Sequence, residues 1–437
     1  MSLSGKDLTR QILIGMVVGF IVGLLINLAF GDVAWVQANL VDGLFDAVGK
    51  IFLNMLKMLI VPLVFVSLVC GTASLSDPSR LGRLGGKTLL LYLATTAIAV
   101  SSALFFANIF DPGEGSNFPE AQFEAVEAPS IKDVFVNMVP SNPIQAMAET
   151  NMLQLIFFSI IFGLAITLAG KPGARIKAIF DDANEVIMQI VVIVMKLAPY
   201  GVFALLAKIV AQLGWNSFQL LLDYFLLVLA VLFFHALVVY PTLLKLLGRK
   251  DPVMFMRKMW PVQIFAFSTA SSNATIPVTL RTVEKRLGAD NAVASFTVPL
   301  GATINMDGTA IMQGIATVFI ANVYGVDLTL AQMLTVVLMA TMASIGTAGV
   351  PGVGLILLAT VLTQVGLPIE GIGLILGIDR ILDMTRTAVN ITGDAAVTTI
   401  VAVSEGDLDH EVFDDPDAGS DVPTEIKPPK EPAEETG

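Results

Sequence analysis

Long apolar segments recur along the chain and limit the folds that it can adopt. A helix that crosses the hydrocarbon core of a bilayer needs about 20 predominantly apolar residues. Only 14% of the 437 residues are charged, whereas soluble proteins carry about 25%. The sequence therefore predicts an all-α polytopic membrane protein. The segments that approach or exceed the required length are 11–30, 52–70, 88–110, 152–169, 184–212, 217–247, 292–322, 328–365 and 371–404.

The net charge of −12 is concentrated at the C-terminal end of the chain. Residues 405–437 contain twelve acidic residues and two lysines, which assigns −10 to this tail and about −2 to the rest. The tail is also rich in proline and poor in large apolar side chains, so we expect it to be disordered. Cys70 is the single cysteine, which excludes an intrachain disulfide, and the two histidines lie far apart. This composition predicts neither a zinc site nor a Cys/His nucleophile.

The positions of Lys and Arg predict how the segments cross the membrane. If the basic clusters are cytoplasmic, the first six spans alternate and the N-terminus is inside. Segment 259–280 has basic residues on both flanks, so it should enter and leave on the cytoplasmic side. Segment 328–365 has none, which fits a hairpin that enters from outside and places the tail in the cytoplasm. The basic clusters are 6–10, 80–87, 171–177, 245–258 and 281–286.

Both hairpin candidates have polar or glycine-rich centres, as non-helical backbone at membrane depth would require. The first contains STASSNATIP (268–277), and the second contains MASIGTAGVPGVG (342–354). Each precedes a span with an Asn-x-x-Gly pattern, NMDGT at 305–309 and NITGD at 390–394. Paired interrupted segments in two halves of a chain point to a transporter binding site. Chance agreement of short motifs is the alternative, but the opposed entry sides favour an inverted repeat.

The segment DRILDMTRTAVNITGD (379–394) places charges in a span, where they cost free energy and usually mark function. At about 100° per residue, five polar side chains share an arc of about 80° on one helix face. Ion pairs that only fix helix packing are the structural alternative. The polar hairpin tips nearby favour a functional face. The five residues are Asp379, Asp383, Arg386, Asn390 and Asp394.

These residue types suit an amino acid with an acidic side chain. The planar Arg386 guanidinium matches a carboxylate, and Asp383 can hold an ammonium group. Asn390 can donate to a second carboxylate, and Thr387 and the 271–273 tip can supply further hydrogen bonds. The small residues at 346–354 would let the second hairpin close over the ligand.

A second group of residues predicts a sodium site. Asp307 lies in GATINMDGTA (301–310), a polar run that breaks an otherwise apolar span. Unwound carbonyls and carboxylates such as Asp307 and Asp394 form the dry oxygen sites that secondary transporters use for Na⁺. Thr95 and Thr96 are candidate ligands, although threonines in a helix more often bond the preceding turn, and Tyr92 carries the same alternative.

Four motifs in this order resemble the glutamate transporter family, the dicarboxylate/amino acid:cation symporters. The resemblance covers about residues 10–404. It implies eight transmembrane helices, two re-entrant helical hairpins and a homotrimeric elevator-type transporter. The motifs are SSNATIP (271–277), NMDGT (305–309), ASIGTAGVPG (343–352) and DMTRTAVNITGD (383–394).

The resemblance also implies a division of the chain. Residues 1–250 would form six spans, of which 1, 2, 4 and 5 build the trimeric scaffold and 3 and 6 move with the core. Residues 251–404 would form the transport core, and residues 405–437 the cytoplasmic tail. Within the core we expect hairpin 1 at about 251–286, span 7 at about 292–322, hairpin 2 at about 328–365 and span 8 at about 371–404.

Site residues carry over from the family motif by motif. Substrate contacts would come from Ser271, Ser272, Gly354, Asp383, Arg386, Thr387 and Asn390. One sodium site would use Gly301, Asn305, Asn390 and Asp394. A second would use Tyr92, Thr95, Thr96, Asn305 and Asp307. A third would use backbone around Thr303 and around Ser344, Ile345 and Thr347. About three Na⁺ per substrate and no organic cofactor are implied.

The sequence departs from the family at several positions. Gln313 stands where animal excitatory transporters carry a glutamate linked to proton co-transport and potassium counter-transport. Ala270 and Met384 occupy positions where different family members place an arginine. We expect Arg380 to replace that arginine and to balance the negative charge of the aspartates. Asn273 replaces the commoner serine of the tip.

The leading interpretation is a Na⁺ symporter for L-aspartate or L-glutamate in a prokaryotic inner membrane, with both termini cytoplasmic. A proton-coupled glutamate/aspartate or C4-dicarboxylate symporter of the same fold is the nearest alternative. A channel is disfavoured because the polar face resembles a stoichiometric site. An enzyme is disfavoured because no catalytic set is evident, and no nucleic acid partner is expected.

Overall fold

The computed structural model describes residues 5–31, 33–73, 78–114, 136, 139–149, 151–214, 216–345, 352–376 and 378–419. Within these ranges the regular structure is helical, and an antiparallel bridge between Ala289 and Leu408 is the one extended pairing. The predicted all-α class is therefore confirmed for the described part of the chain.

The N-terminal half consists of long helices interrupted by short non-helical or π-helical stretches. Its elements are α1 (Gly5–Phe30), α2 (Ala34–Val36), π1 (Gln37–Phe45), α3 (Asp46–Ala73), α4 (Pro78–Phe110), α5 (Pro143–Ala148), α6 (Met152–Leu168), α7 (Lys171–Met195), α8 (Ala198–Leu213), α9 (Asn216–Phe234), π2 (His235–Val239), α10 (Tyr240–Leu243) and π3 (Leu244–Gly248).

The C-terminal half consists of shorter helices in pairs, followed by one long helix. Its elements are α11 (Pro252–Thr269), α12 (Ser272–Lys285), α13 (Asn291–Ile304), α14 (Asp307–Val323), α15 (Leu330–Ser344), α16 (Val353–Gln364), a 3₁₀ turn (Ile369–Gly371), α17 (Ile372–Ile375), α18 (Asp379–Glu405) and α19 (His410–Asp414).

Several helical stretches are long and apolar enough to cross a membrane. By length and composition there are five among the described residues, and a sixth if α7 and α8, which bend by 48°, form one span. Two predicted spans miss this criterion because α6 has only 17 residues and the α13–α14 span is broken. The five stretches are Arg10–Phe30, Ala34–Cys70, Arg83–Phe110, Gln219–Gly248 and Asp379–Glu405.

The outer faces of these helices are apolar, as contact with lipid requires. Leu28 is 74% exposed, Trp35 69% and Leu168 85%. Large apolar side chains exposed in such numbers would be a liability in water, where contiguous apolar patches are kept small. The surface therefore supports a multi-pass membrane protein.

Two helix pairs fold back on themselves. In the first, hereafter hairpin 1, Ala270 adopts a left-handed conformation with φ of 50° between α11 and α12, and Thr269 and Thr275 approach within 3.4 Å at the tip. In the second, hereafter hairpin 2, the Gln332 amide near the start of α15 donates to the Val365 carbonyl just after α16 at 3.0 Å. The arms of each hairpin are therefore antiparallel, and residues 346–351 of hairpin 2 lie outside the described residues.

The predicted break in span 7 is confirmed. Helix α13 ends at Ile304 and α14 begins at Asp307, so Asn305 and Met306 are non-helical. Both residues are buried. Because buried backbone groups need partners, this break gathers polar side chains from neighbouring helices.

Two sets of helices pack mainly among themselves. Helix α1 packs on α8, and α3 packs on α6, α7 and α8. Separately, α4 and α9 pack on α14 and α18, and α18 also contacts hairpin 1 and α13. The division into a scaffold and a moving core, and the movement of one set against the other, stay predictions.

The C-terminal tail differs from the sequence expectation. We predicted disorder for residues 405–437, but residues 406–419 are described and include α19, whose Phe413 is fully buried. The acidic composition predicted disorder wrongly for this stretch, because the buried Phe413 side chain anchors it to the rest of the protein. Residues 420–437 lie outside the described residues.

Candidate substrate and cation site

The charged residues at the start of α18 form a compact buried cluster. Arg386 is 1% exposed, and its Nη1 and Nη2 donate to the two Asp379 carboxylate oxygens at 2.6 and 3.2 Å. Nη2 also donates to Asp383 Oδ1 at 2.7 Å. Charge-assisted bidentate pairs of this kind fix a guanidinium in one orientation. Within the described residues Arg386 Nε has no partner, so Nε is the one unpaired nitrogen of the guanidinium there.

Sequence reasoning missed Asp379 as a site residue. It was placed on the polar face of α18, but no role was assigned to it. Its position seven residues before Arg386, two turns along the same face, was the signal that could have identified it.

Hairpin 2 reaches the same cluster. The Gly352 backbone N–H donates to Asp383 Oδ2 at 3.3 Å. Gly354 lies close by, because a Cβ placed there would be 2.9 Å from Thr309 Cγ2 and 3.5 Å from Arg386 Nη2. A glycine at 354 therefore lets the second arm of hairpin 2 approach the guanidinium closely. Arg380 Nη1 lies 3.5 Å from the same Asp383 oxygen, in the balancing position that the sequence predicted.

The Asn390 amide lies at the break in span 7. Its Oδ1 accepts a hydrogen bond from the Gly308 N–H at 2.7 Å, and its Nδ2 lies 3.2 Å from Met306 Sδ. Thr387, one turn before Asn390, donates to the Asp383 carbonyl at 2.8 Å. Asn390 thus connects α18 to the first turn of α14, and its contact with a substrate carboxylate stays a prediction.

The tip of hairpin 1 presents two serines. Ser271 caps α12, with its Oγ accepting from the Ala274 N–H at 3.2 Å, and Ser272 is buried. Helix α12 packs on α18, the helix that carries the charged cluster. Direct contact of these serines with a substrate stays a prediction.

The four residues of the first predicted cation site lie together. Asn305 Nδ2 donates to Asp394 Oδ1 at 3.0 Å and to the Asn390 carbonyl at 3.4 Å. A side chain at Gly301 would collide with the Asp394 carboxylate. Carbonyl and carboxylate oxygens of α13, the break and α18 therefore converge.

The residues of the second predicted cation site also lie together, on α4 and span 7. Thr96 Oγ1 donates to Asp307 Oδ1 at 2.6 Å, and Thr95 Oγ1 donates to Asn305 Oδ1 at 3.2 Å. Both hydroxyls also lie within hydrogen-bonding distance of the Tyr92 carbonyl in the preceding turn, at 3.0 and 2.9 Å. Each threonine hydroxyl therefore lies near both a carbonyl of its own helix and a residue of the predicted cation site. The Tyr92 hydroxyl donates to the Thr297 carbonyl at 2.9 Å.

Two further residues hold Asp307 and were not predicted. Tyr240 OH donates to Asp307 Oδ2 at 2.9 Å, and His235 Nε2 lies 3.3 Å from the same oxygen. Both residues are buried, and π-helical turns begin at His235. A histidine in an apolar span was a visible signal, but nothing in the sequence pointed to Asp307 as its partner.

The third predicted cation site is described in part. Ser344 Oγ donates to the Ile304 carbonyl at 2.5 Å and accepts from the Met306 N–H at 2.9 Å. Thr303 Oγ1 donates to the Leu300 carbonyl at 2.9 Å, and Ile345 is the residue that follows the end of α15. Hairpin 2 is thereby attached to the break in span 7, whereas Thr347 lies outside the described residues.

Comparison with known proteins identifies the family. The sequence profile of the sodium:dicarboxylate symporter family matches residues 8–404. The chain belongs to the sodium:dicarboxylate symporter family. The family predicted from the four sequence motifs is therefore confirmed.

Related symporters align with nearly the whole chain. A proton/sodium-glutamate symport protein from Geobacillus stearothermophilus is 36% identical over 414 residues, covering 92% of this chain and 96% of the relative. A proton/glutamate-aspartate symporter from Escherichia coli is 36% identical over 416 residues, covering 92% and 94%. A C4-dicarboxylate transport protein from Bacillus subtilis is 32% identical over 413 residues, covering 92% and 95%. This symporter family member thus resembles both amino acid and dicarboxylate carriers.

Proposed function

We propose that the protein is a secondary active symporter that couples inward Na⁺ flow to the uptake of L-aspartate or L-glutamate. The observation that carries the proposal is the buried Arg386–Asp379–Asp383 cluster on α18. The same helix presents Asp394 to the break in span 7. Substrate and cation groups therefore share one helix, and binding at one position can influence the other.

The charges of the cluster match those of an acidic amino acid. Arg386 binds the side-chain carboxylate through Nε and Nη2, since Nε is buried without a partner in the described residues. Asp383 releases Nη2 and takes the substrate ammonium. Each charged protein group then keeps an opposite charge, which matters because an unpaired buried ion costs several kcal/mol. Asn390 and the tip of hairpin 1 bind the α-carboxylate.

The pairing also discriminates against other substrates. A neutral amino acid leaves Arg386 without an incoming carboxylate, and a C4-dicarboxylate offers no ammonium to Asp383. Specificity of this kind rests on unpaired charges in the wrong complex. The α-amino group is thus the feature by which this site selects amino acids over succinate.

Na⁺ occupies the oxygen clusters around the break in span 7. The first cluster takes Gly301, Asn305, Asn390 and Asp394, and the second takes Tyr92, Thr95, Thr96, Asn305 and Asp307. The third takes Thr303, Ser344, Ile345 and Thr347, which gives about three Na⁺ per substrate. Na⁺ replaces hydrogen bonds among these oxygens, so hairpin 2 closes only when the ions are present.

The proposed transport cycle rests on membership of the family. Eight transmembrane helices and two re-entrant hairpins form each subunit of a homotrimer. Spans 1, 2, 4 and 5 stay fixed, while spans 3 and 6 move with residues 251–404 as an elevator. The protein lies in the inner membrane with both termini in the cytoplasm.

Proton coupling is the second candidate, because two relatives that align with 92% of this chain are named a proton/sodium-glutamate symport protein and a proton/glutamate-aspartate symporter. It keeps the same substrate site and changes only the driving ion. The two candidates respond differently to sodium at fixed pH.

The test is uptake of radiolabelled L-aspartate into liposomes that contain the purified protein. An inward Na⁺ gradient is compared with choline at equal pH, and glutamate, succinate and serine serve as competitors. We expect uptake that requires Na⁺ and is blocked by glutamate. Uptake driven by a pH gradient alone would show that H⁺, not Na⁺, is the coupling ion. Inhibition mainly by succinate or serine would overturn the roles assigned to Asp383 and Arg386.

A further inference from the structure

Residues 406–419 form what we call the C-terminal clasp, which attaches the end of α18 to the base of hairpin 1. Helix α18 ends at Glu405, and Gly406 turns the chain with a φ of 80°. The Asp409 N–H then donates to the Gly288 carbonyl at 2.7 Å, and the Asp290 N–H donates to the Asp407 carbonyl at 2.9 Å. The clasp thus pairs with the segment between α12 and α13.

Lys258 lies at the centre of this contact. Its Nζ donates to the carbonyls of Arg286, Val412 and Phe413 at 2.6, 2.7 and 2.7 Å. An ammonium has three donors, and all three are used. Lys258 is fully buried, so each of these bonds replaces a contact with water. Such a set requires a cation with several N–H donors at this position.

The same lysine joins the two arms of hairpin 1. Lys258 is on α11, and Arg286 follows the last residue of α12. In turn, Arg286 Nη1 donates a hydrogen bond to the Lys258 carbonyl at 3.1 Å. Helix C-terminal carbonyls lack intrahelical partners, so a cation there satisfies the ends of both α12 and α19.

Phe413 and Lys250 complete the attachment. Phe413 is fully buried, with the Lys250 and Lys258 ammonium groups 4.7 and 5.5 Å from its ring centroid. Lys250 Nζ also pairs with the Asp414 carboxylate at 3.1 Å. Residues before α11, on α11 and after α12 therefore converge on one short helix.

We propose that Lys258 is a positioning residue for substrate binding, and that the clasp holds hairpin 1 through it. The base of hairpin 1 lies about 20 Å along α11 from its tip, by the rise of an α-helix. Midway, Gln263 Nε2 donates to Thr392 Oγ1 of α18 at 2.9 Å. Fixed at the base and the middle, the arms present Ser271 and Ser272 to the substrate in one arrangement.

The proposal rests on the proposed function, because it assigns the tip of hairpin 1 to the substrate site. Without the clasp, the tip adopts its binding arrangement only part of the time. Apparent affinity falls by the fraction of time that the competent state is populated. The maximal rate changes less, because substrate that is already bound travels with the whole transport core.

The test compares Lys258→Met with Lys258→Arg, Phe413→Ala and two truncations. One truncation ends at Glu405 and removes the clasp, and the other ends at Gly419 and keeps it. Lys245→Met is the matched control, since Lys245 is exposed on π3. The readouts are KM and maximal rate of aspartate uptake, with hydrogen exchange of residues 252–285 by mass spectrometry.

We expect KM to rise about tenfold in Lys258→Met, Phe413→Ala and the Glu405 truncation, with the maximal rate within about twofold. Exchange in residues 252–285 should rise in the same variants. Lys258→Arg, Lys245→Met and the Gly419 truncation should stay within about threefold of the unaltered protein. Size-exclusion profiles confirm that each variant is folded.

The outcomes separate the two proposals. An unchanged KM in folded Lys258→Met, or an equal loss from Lys245→Met, would overturn the positioning role while uptake by the unaltered protein stands. Absence of aspartate uptake by the unaltered protein would overturn the proposed function instead. The exchange comparison would still report whether the clasp holds hairpin 1.

Discussion

Asp379 and Arg386 lie two turns apart on α18 and form a bidentate pair, with Nη1–Oδ1 and Nη2–Oδ2 distances of 2.6 and 3.2 Å. Asp383, between them, takes a second bond from Nη2. Asp379 therefore sets the direction in which the guanidinium faces. The site is held by a carboxylate that is itself outside the predicted set of substrate contacts.

Asp379→Asn should weaken aspartate binding although it leaves the predicted contacts in place. Removing one partner of a buried pair costs about 3–5 kcal/mol, and Arg386 would then bind Asp383 more closely. We expect KM to rise at least about tenfold and the thermal unfolding temperature to fall. Uptake kinetics and a thermal shift assay measure both. Asp182→Asn is the control because Asp182 is exposed on α7, and an unaltered KM in Asp379→Asn would contradict this role.

Thr96→Val should lower the affinity for Na⁺ specifically. It removes the hydroxyl that bonds Asp307 Oδ1 at 2.6 Å and a predicted ligand oxygen. The half-saturating Na⁺ concentration should rise at least about tenfold, since a hydrogen bond to a charged group is worth about 1.5–3 kcal/mol. Na⁺ titration of aspartate uptake measures this. Thr88→Val is the matched control, because Thr88 is buried on the same helix and bonds the Leu84 carbonyl.

Tyr240→Phe should also raise the half-saturating Na⁺ concentration, by about threefold. The hydroxyl that it removes donates to Asp307 Oδ2 at 2.9 Å, so the carboxylate would lose one of its supports. Tyr224→Phe is the control, since the buried Tyr224 hydroxyl has no hydrogen-bond partner within the described residues. If both variants behave alike in the Na⁺ titration, Tyr240 does not position Asp307.

Gly354→Ala should reduce aspartate affinity by about tenfold through a steric effect. The added Cβ would lie 2.9 Å from Thr309 Cγ2 and push the second arm of hairpin 2 away from Arg386. Thr309→Ser removes that methyl group, so the double variant should recover most of the affinity. Competition uptake assays compare the single and double variants, and Gly86→Ala, where the Cβ meets nothing within 4 Å, serves as control. A double variant as weak as Gly354→Ala would refute the steric explanation.

Local sequence patterns were sufficient for the elements that carry the site. The polar run around Asp307 predicted the break in span 7, and the spacing of charges predicted one polar face on α18. Both follow from the geometry of a single helix and the cost of charge in an apolar segment. The family resemblance assigned Thr95 and Thr96 to the same predicted cation site as Asn305 and Asp307, and in the structure these side chains are hydrogen-bonded.

Contacts between residues far apart in sequence could not be predicted from local sequence patterns. His235 and Tyr240 lie 72 and 67 residues from Asp307 in sequence, and no pattern in their own helix indicates the partner. The tail shows the same limit, because its acidic composition predicted disorder while Phe413 packs beneath Lys250 and Lys258. Composition averages over a segment, whereas one well-placed aromatic side chain decides whether that segment docks.

The sequence by itself determined that this chain is a helical membrane protein, that span 7 is broken, and that charges line one face of α18. These properties depend on residues a few positions apart, within one helical turn or one apolar segment. Only the tertiary structure decided that Asp379 orients Arg386, that π2 and α10 supply partners for Asp307, and that the clasp closes on Lys258. Each of these depends on which surfaces meet, because a buried charge takes whichever opposite charge or dipole the packing brings within about 3 Å.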